Sequence, residues 1–352
     1  MAKTRPIRVG IVGLGRAGFG MHCKELEGKE DRFRIVAGCD VHKPWRDRMA
    51  EAYPDCTLYT RVEDLLADPQ VDLVSVATLS IDHYRHVSMA LKAGKDVFDE
   101  KPMCTTYAEA KRLQAASAKT KGNLYIRHNR RFENGFLHIR EIIASGILGD
   151  VHTIKLARVG YGRRDDWQTL IKCGGGQLTN WGPHIIDHGL QFLDAPKKPL
   201  KGVWSDLKLV AAVGDAEDHL KIVMTGATGC VVDIEISGGA AVPLPQYVIW
   251  GSKGGLTCQG DTITLKYLDP KKKLKPRKPH TEVLPTFGTP EKLPWIEKTL
   301  EVKPKKTYDI WDELYSAIRK GKRFPITLDE AVEVMRVVSI AKKGTRFAGK
   351  RK

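Results

Sequence analysis

A short apolar run, Ile7–Val12, leads directly into a glycine-rich turn, and the residues after the turn have the pattern of a helix. The glycines are spaced as Gly13-x-Gly15-x-x-Gly18. Gly13 permits the tight turn, Gly15 lets a pyrophosphate approach the backbone, and Gly18 lets the helix pack closely against the strand. The first N–H groups of such a helix point at the phosphates. The stretch therefore predicts a dinucleotide-binding strand–turn–helix unit, and the alternative is the same unit without a ligand.

A carboxylate follows the second predicted strand at the distance that a dinucleotide-binding unit requires. The run Phe33–Cys39 ends at Asp40, about twenty residues beyond the last glycine, where a carboxylate binds ribose. Because a carboxylate there repels a 2′-phosphate, Asp40 favours NAD as the cofactor. Lys43 and Arg46 follow closely and keep NADP open as a second cofactor.

Strand-like and helix-like segments alternate from Ile7 to about His128. This alternation predicts a doubly wound parallel sheet of the Rossmann type over residues 1–128, with ligands at the carboxyl ends of the strands. Beyond the first two, the predicted strands are Thr57–Tyr59, Val71–Ala77, Asp96–Phe98 and Asn123–Ile126. The predicted helices cover about 17–26, 44–52, 63–66, 82–92 and 107–120.

The pattern changes after about Asn129, where strand-like runs separated by hairpin-type turns dominate. They are Val151–Val159, Gly202–Lys208, His219–Thr225, Cys230–Ile236, Tyr247–Gly251, Gly255–Gln259 and Thr262–Tyr267. Helices are predicted at about 136–145, 183–193, 308–320 and 328–342. We expect an α+β domain over 129–344 with a largely antiparallel open sheet, whose final helices could pack back on the first domain. The stretch Pro270–Pro304 is predicted to be a surface excursion, and 345–352 a basic tail.

The net charge of +16 raises the question of nucleic-acid binding. Much of the excess lies in Lys271–Pro279 and in residues 342–352, and neither segment has interleaved aromatic residues for base stacking. We therefore expect no nucleic-acid interface. Seven scattered cysteines without a C-x-x-C pair indicate reduced thiols, no apolar run has the length of a membrane span, and the first strand leaves no room for a signal peptide. These features favour a cytoplasmic protein.

Glu100-Lys101-Pro102 directly follows the predicted strand Asp96–Phe98. A lysine at the carboxyl end of a parallel strand points toward the ligand crevice. Its ammonium group could donate a hydrogen bond to a substrate hydroxyl and stabilise an alkoxide. The alternative is a surface lysine beside a turn proline.

A second group of polar residues lies in the glycine-rich stretch 174–188. Gly182-Pro183 is typical of a helix start and places His184 in the first turn, where the helix dipole disfavours an imidazolium. A neutral imidazole suits a general base for a sugar hydroxyl. Asp187 and His188 follow on roughly the same face. The alternatives are a structural histidine, or a metal held by His184 and His188, although a third ligand is not evident and we expect no metal.

Further candidates follow other predicted strands. Arg130 follows the last parallel strand, and His83 follows the strand that ends near Thr78, so both could line the crevice. A third group follows the first strand of the second domain and suits a polyhydroxylated ring: Tyr161, Arg163, Arg164, Asp166 and Trp167. Each of these could equally belong to an ordinary surface loop.

Taken together, these motifs resemble the Gfo/Idh/MocA oxidoreductases from Ile7 to about Gly344. The matching stretches, in the order and spacing of that family, are Gly13–Gly18, Glu100-Lys101-Pro102, Asn129–Phe132, Gly174–His184, Ala317–Gly321 and Asp329-Glu330-Ala331. The resemblance implies an N-terminal domain for NAD or NADP, a C-terminal substrate domain, Lys101 as the catalytic lysine and His184 as the acid/base. The chain has Asn180 where the family often has Asp, so residue 180 can orient His184 but not stabilise its charged form. It has Thr78-Leu79-Ser80 where the family usually has Thr-Pro-Asn.

The sequence thus predicts an oxidoreductase that transfers a hydride between a nicotinamide and a secondary alcohol of a sugar, sugar derivative or cyclitol. The alternatives are redox-neutral, NAD-dependent glycoside cleavage and a non-catalytic dinucleotide-binding regulator. We expect a homodimer or homotetramer, because an open sheet invites pairing between subunits. The expected catalytic residues are Lys101, His184 and Asn180. The expected cofactor residues are Gly13, Leu14, Gly15, Arg16, Ala17, Gly18, Asp40, Thr78, His83, Glu100 and Lys101. The expected substrate residues are Lys101, Arg130, Tyr161, Arg163, Arg164, Asp166, Trp167, Asn180 and His184.

Overall fold

The structure is a computed structural model that describes residues 5–282, 287–288, 290–302 and 309–348. The described residues form two sheets, which confirms the predicted fold class. The first is a six-stranded parallel sheet in the order β3-β2-β1-β4-β5-β6. Its strands are β1 (Ile7–Val12), β2 (Phe33–Cys39), β3 (Thr57–Tyr59), β4 (Leu73–Val76), β5 (Asp96–Glu100) and β6 (Leu124–Arg127). The strand order reverses between β1 and β4, and this point of a parallel sheet is where ligands bind.

Helices connect these strands on both faces of the sheet. They are α1 (Lys24–Leu26), α2 (Lys43–Ala52), α3 (Val62–Ala67), α4 (His83–Lys92) and α5 (Tyr107–Ser117). The α-helix predicted over 17–26 is wrong in its first part, because Gly18–Cys23 is a π-helix that continues into α1. The wider turn holds buried His22 between two polar partners: the hydroxyl of Ser75 donates to its Nδ1 (2.7 Å), and its Nε2 donates to Glu100 (2.9 Å).

The second sheet has eight strands in the order β14-β13-β12-β11-β7-β10-β9-β8. Its strands are β7 (Val151–Val159), β8 (Gly202–Lys208), β9 (His219–Thr225), β10 (Val231–Ser237), β11 (Tyr247–Gly251), β12 (Gly254–Gln259), β13 (Thr262–Leu268) and β14 (Trp295–Glu301). Only β7 and β10 pair in parallel, so the sheet is largely antiparallel as predicted. Strand β14 lies within the stretch Pro270–Pro304, which was predicted as a surface excursion, so the last part of that stretch belongs to the sheet; residues 283–286, 289 and 303–304 of that stretch lie outside the described residues. Strand β14 pairs along the edge of β13, and its apolar content is too low to stand out in the sequence.

Five helices complete the second half of the described chain: α6 (Asn134–Ala144), α7 (Gln177–Asn180), α8 (Gly182–Phe192), α9 (Ile310–Lys320) and α10 (Leu328–Lys342). Helix α8 covers one face of the second sheet, over β7 and β10. The final helices do pack back on the first domain. The ring of Trp311 in α9 lies edge-on to Phe98 (4.8 Å between centroids), and α10 contacts α5.

The described residues contain no helix long and apolar enough to span a membrane. All seven cysteines are free, and six of them are buried.

Candidate active site

The glycine turn after β1 has the shape that a pyrophosphate requires. Gly13 has φ of +90°, and a Cβ there would lie 2.6 Å from the carbonyl oxygen of Ala77. A Cβ on Gly18 would lie 1.8 Å from the carbonyl oxygen of Gly13, so the chain passes too closely for any other residue. A Cβ on Gly15, in contrast, would meet no atom within 4 Å. The space above Gly15 is therefore an open cradle, and exposed Arg16 and half-buried Ala17 follow it in the turn.

Asp40 lies at the edge of this turn, as expected for a ribose-binding carboxylate. Its Oδ2 accepts from the amide of Leu14 (2.8 Å), and its Oδ1 accepts from the amide of His42 (2.9 Å). Of the two nearby cations, Arg46 donates to the main-chain oxygen of Asp40 (2.7 Å), and Lys43 pairs with Asp47 (2.8 Å). Asp40 therefore lies beside the glycine turn, and its carboxylate is held there by two main-chain amides.

The loop after β4 is held in place by His83. The buried ring of His83 lies with Nδ1 2.8 Å from the carbonyl oxygen of Pro102 and Nε2 3.2 Å from that of Thr78. Burial lowers the pKa of His83 and favours its neutral form. Thr78 itself contacts His86 through its hydroxyl (3.1 Å). Because a neutral ring carries one N–H, His83 donates to one of these two carbonyl oxygens, and its buried ring lies between the Thr78 and Pro102 loops as a support.

Lys101 directly follows β5 and reaches across to the second domain. Its Nζ donates to the main-chain oxygen of Asn180 (3.1 Å) and to Oδ1 of the same residue (3.3 Å). Burial lowers the pKa of Lys101 to about 8, and the nearby positive charges of Arg16 and Arg130 lower it further against the opposing effect of Glu100. An ammonium with this pKa is a strong hydrogen-bond donor near neutral pH.

Glu100 anchors the end of β5 inside a buried charge network. Its Oε1 accepts from Arg127 (2.8 Å) and from His22 (2.9 Å). Burial alone would raise the pKa of Glu100, but Arg127, His22 and Lys101 together hold it well below its usual range. Glu100 is therefore ionised at neutral pH, next to Lys101 in the chain. Sequence analysis missed Arg127 and His22, although Arg127 ends a parallel strand and could have been found by that position.

His184 lies in the first turn of α8, as Gly182-Pro183 predicts. The side chain is buried, and its Nδ1 has no hydrogen-bond partner among the described residues. The pKa of His184 lies well below its usual value because of burial first, and then because of the charge of Lys101. The expected neutral imidazole is present, although burial rather than the helix dipole is its main cause. Because the charge of Lys101 acts on the pKa of His184, we treat the two side chains as parts of one site.

A second histidine, His128, lies beside His184 and was not singled out in the sequence. The two rings are 6.4 Å apart in an edge-to-face arrangement. Burial lowers the pKa of His128 to about 4, so the ring is neutral at physiological pH. His128 follows β6 directly, which is the position that could have identified it.

Asn180 differs from its expected role. We predicted that it orients His184, but the described hydrogen bonds of its side chain go to Lys101 and to Gln168, whose Nε2 donates to Oδ1 (3.2 Å). Asn180 ends α7, whereas His184 lies in the first turn of α8, so the two residues belong to different helices. Asn180 therefore positions the ammonium group.

Asp187 and His188 have structural roles, because their side chains bond to other parts of the protein. Asp187 accepts from Nε of Arg131 (2.9 Å). His188 donates from Nε2 to the carbonyl oxygen of Arg130 (2.9 Å), and its Nδ1 accepts from the hydroxyl of Tyr247 (3.2 Å). Both ring nitrogens of His188 thus have hydrogen-bond partners, so His188 does not face a metal together with His184. In the portion of the chain that the structure describes, no three metal-ligating side chains converge.

The loop after β7 reaches the site only through some of its residues. Arg164 pairs with Asp166 (2.6 Å) and donates to Gln168 (2.5 Å), the residue that also contacts Asn180. Trp167 is half-buried, whereas Tyr161 and Arg163 are exposed, with 65 % of Tyr161 accessible. Of these expected substrate residues, Arg164 and Asp166 are the ones that the structure connects to Asn180.

Comparison with protein-family sequences gives two matches. Residues 7–128 match an oxidoreductase family with an NAD-binding Rossmann fold, described as GFO_IDH_MocA, and residues 136–257 match the GFO/IDH/MocA C-terminal domain. The two regions contain the glycine cradle and the end of α7 with His184, respectively.

Curated relatives match this chain at modest identity, one of them over nearly its whole length. The scyllo-inositol 2-dehydrogenase (NADP(+)) IolW of Bacillus subtilis is 27 % identical over 98 % of this chain and 95 % of its own length. An inositol 2-dehydrogenase of Acidothermus cellulolyticus is 28 % identical over 67 % of this chain and 68 % of its own. A D-glucoside 3-dehydrogenase of Escherichia coli is 28 % identical over 55 % and 56 %.

Solved structures share the fold. An oxidoreductase of Thermotoga maritima superposes with a TM-score of 0.80 at 22 % identity, covering 98 % of this chain and 97 % of that one. An NAD-binding protein of Listeria innocua gives a TM-score of 0.77 at 22 % identity, over 95 % and 93 %. With both domains matched in order and the cradle formed, this chain belongs to the GFO/IDH/MocA family of NAD(P)-binding oxidoreductases.

Proposed function

We propose that this protein is a dehydrogenase that exchanges a hydride between NAD and a secondary alcohol of a sugar, a sugar derivative or a cyclitol. The observation that carries the proposal is a hydrogen bond from one domain to the other: the buried ammonium of Lys101 donates to Asn180 (3.1 Å), the last residue of α7, and the buried, neutral imidazole of His184 lies in the first turn of the next helix, α8. A neutral base and a cationic donor are the two groups that alcohol oxidation requires.

The cradle at Gly13, Gly15 and Gly18 fits the pyrophosphate of a dinucleotide, and Asp40 fits its ribose hydroxyls. Thr78 and Lys101 then border the crevice at the carboxyl ends of β4 and β5. A bound nicotinamide supplies the hydride acceptor in oxidation and the donor in reduction.

His184 takes the proton of the substrate hydroxyl during oxidation. Its imidazole is neutral at pH 7, so it can accept a proton without first losing one. Burial disfavours the resulting imidazolium, which drives release of the proton once the ketone has formed. The roles reverse for reduction of a carbonyl.

Lys101 stabilises the negative charge that develops on the substrate oxygen. An ammonium carries three N–H donors, and the two oxygens of Asn180 accept two of them. One donor remains for the substrate, held in a fixed direction by Asn180. Donors that are positioned before the reaction stabilise the transition state most effectively.

Two further features support the substrate class and the cofactor. The curated relatives include proteins named for inositol and for D-glucosides, which are polyhydroxylated rings. The B. subtilis relative is named for NADP(+), whereas Asp40 of this chain favours NAD because its carboxylate would repel a 2′-phosphate.

A substrate panel tests this proposal. Inositols, hexoses and methyl glycosides are incubated with NAD or NADP, reduced nicotinamide is followed by absorbance, and products are identified. We expect net NADH release with a keto product, and His184→Asn should abolish it while dinucleotide binding persists. Cleavage of a glycoside without net NADH would instead indicate the redox-neutral reaction. Binding of NAD without any turnover, unaffected in Lys101→Ala, would indicate a regulator.

The uncovered face of the second sheet supports the expected homo-oligomer. Three tryptophans are exposed on it, Trp204, Trp250 and Trp295, each at least 42 % accessible. Large exposed aromatic side chains are enriched at interfaces between protein chains. Sedimentation equilibrium of the wild type and of Trp250→Glu should give a dimer or tetramer and a smaller species, respectively.

A further inference from the structure

A cavity of about 440 Å³ lies beside the catalytic pair, on the helix-covered face of the second sheet. Trp181 connects the two places, because it lines the cavity and its ring lies 6.0 Å from that of His184. The other residues relevant here are Arg130, Glu133, Arg158 and Tyr247. Apart from Arg130, none of them belongs to the catalytic machinery described above.

Two guanidinium groups lie against the same indole ring. The Cζ of Arg130 is 4.1 Å from the centre of the Trp181 ring, and the Cζ of Arg158 is 4.0 Å from it. Two cations in such proximity repel each other unless anions neutralise them. This arrangement is therefore costly in the free protein.

Only one of the two cations has an anionic partner. Arg130 forms an ion pair with Glu133. Arg158 makes no hydrogen bond and no ion pair with the described residues, and its contact is with the face of Trp181. The carboxylates of Glu133 and Asp261 also line the cavity, but among the described ion pairs Glu133 pairs with Arg130 and neither carboxylate pairs with Arg158. Burial lowers the pKa of Arg158, and Arg130 lowers it further, so an added anion would relieve an unfavourable positive field.

We infer that the alcohol substrate carries an anionic oxyacid group, a carboxylate or a phosphate, which Arg158 binds beside Trp181. The inference rests on the proposed function, since it specifies the substrate of the same site. The planar guanidinium presents paired N–H donors that match a carboxylate or a phosphate. The ring centres of His184 and Trp181 are 6.0 Å apart and the Cζ of Arg158 is 4.0 Å from the Trp181 ring, so a pyranose ring with one charged substituent, together with a hydrogen bond at each end, can span from His184 to Arg158. One molecule can therefore place its hydroxyl at His184 and its anion at Arg158.

Matched pairs of ligands test the inference by direct binding. The full-length protein, saturated with NAD, is titrated by calorimetry with D-glucose, D-glucuronate and glucose 6-phosphate, and with D-galactose, D-galacturonate and galactose 6-phosphate. We expect at least one acid to bind more tightly than its neutral counterpart. The comparison of uronates with phosphates identifies which oxyacid the site takes.

Arg158→Gln should weaken binding of that acid roughly 10- to 100-fold, because a charge-assisted hydrogen bond is lost. Arg158→Lys should recover part of the affinity. The control is Arg140→Gln, which removes an exposed arginine that also covers an aromatic ring, 5.7 Å from Phe136, but does not line the cavity. Thermal unfolding of all three variants verifies that they are folded.

The outcomes separate this inference from the proposed function. Acid binding that depends on Arg158 but not on Arg140 supports the inference, whether or not nicotinamide is reduced. If no acid binds better than its neutral partner, or if Arg158→Gln binds acids as well as the wild type does, the inference is overturned. Turnover of neutral polyols would in that case leave the proposed function standing.

Discussion

Lys101 and Asn180 are joined by two hydrogen bonds from one ammonium group, at 3.1 Å to the main-chain oxygen and 3.3 Å to the side-chain oxygen. The two residues belong to different domains and are 79 positions apart. The contact fixes the position of the ammonium relative to His184, which begins the next helix. The chemistry proposed for this protein therefore depends on how the domains are docked as well as on the residues themselves.

Removal of the ammonium group should disable the reaction. We expect Lys101→Met to lower kcat by about 10²–10³, the usual effect of losing one donor to a developing oxyanion. Lys101→Arg keeps the charge but not the position set by Asn180, and it should remain severely impaired. The control is Lys92→Met, at an exposed site in the same domain. Steady-state kinetics measure the effect, and full activity of Lys101→Met would contradict the assigned role.

The pH dependence should reflect the ionisation of Lys101. Its pKa of about 8 means that the ammonium is present below that pH and is lost as the pH rises through it, so kcat/KM should fall on the alkaline side. The pKa of His184 lies well below its usual value, so the rate should not fall as the pH is lowered through 6.5. A pH profile of kcat/KM measures both limits. An acidic decline centred at 6.5 would show that His184 is not buried as described.

The open space above Gly15 should be needed for the dinucleotide and not for folding. Gly15→Ala places a methyl group where no protein atom lies within 4 Å, so the free protein should keep its stability. A methyl group in an occupied ligand site should weaken NAD binding roughly 5- to 100-fold. Gly20→Ala is the matched control, since its Cβ also meets no atom within 4 Å. Equal dissociation constants in calorimetry for both variants would argue against the cradle.

The choice of cofactor should depend on Asp40. Asp40→Ala should raise the KM for NAD roughly 10- to 100-fold through loss of hydrogen bonds to a charged group, and should improve relative use of NADP. Asp40→Asn keeps an acceptor for the amide of Leu14 and separates the loss of charge from disruption of the turn. Asp31→Ala, at a carboxylate that is 74 % exposed, serves as the control. An unchanged KM for NAD in both Asp40 variants would contradict the assignment.

The buried ion pair between Arg131 and Asp187 should stabilise the second domain. Arg131 also donates to Glu330 of α10 (2.9 Å), so Asp187→Ala leaves a buried cation partly unpaired and should cost about 3–5 kcal/mol of unfolding free energy. Asp55→Ala removes a carboxylate that is 89 % exposed, and should be close to neutral. Urea denaturation measures both changes.

The ion pair between Arg131 and Asp187 also sets the direction in which the free energy of unfolding changes with acid. Burial alone would raise the pKa of Asp187, but Arg131 holds it below its usual value. The stabilisation is therefore complete above the pKa of an unfolded aspartate and is lost as the pH falls through the lower folded value. The difference in stability between wild type and Asp187→Ala should shrink in acid, and a constant difference down to pH 2 would contradict the pairing.

Local interactions explain which features could be read from the amino-acid order. The strands β7, β8, β9 and β11 have their predicted bounds, because alternating apolar residues record which face of a sheet is buried. Helix α10 begins at its predicted residue, where Thr327 and Glu330 form a capping box within three positions. The glycine turn depends on its own backbone and on the strand beside it, and so the glycine spacing, together with the strand before it and Asp40 after the second strand, indicated a dinucleotide.

Contacts between distant segments decided the remainder. Three features depend on residues that only folding brings together: the hydrogen bond between Asn180 and Lys101, the support by His83, and the pairing of edge strand β14. The same holds for the pairing of Arg158 with Trp181, because a strand residue and a helix-start residue carry no mark of each other in the sequence. The amino-acid order by itself indicated the folds of both domains and the glycine cradle. It also indicated Lys101 and His184 as candidate site residues. The tertiary structure decided what each polar group faces, since burial and charge in a site are sums over neighbours that come from both domains.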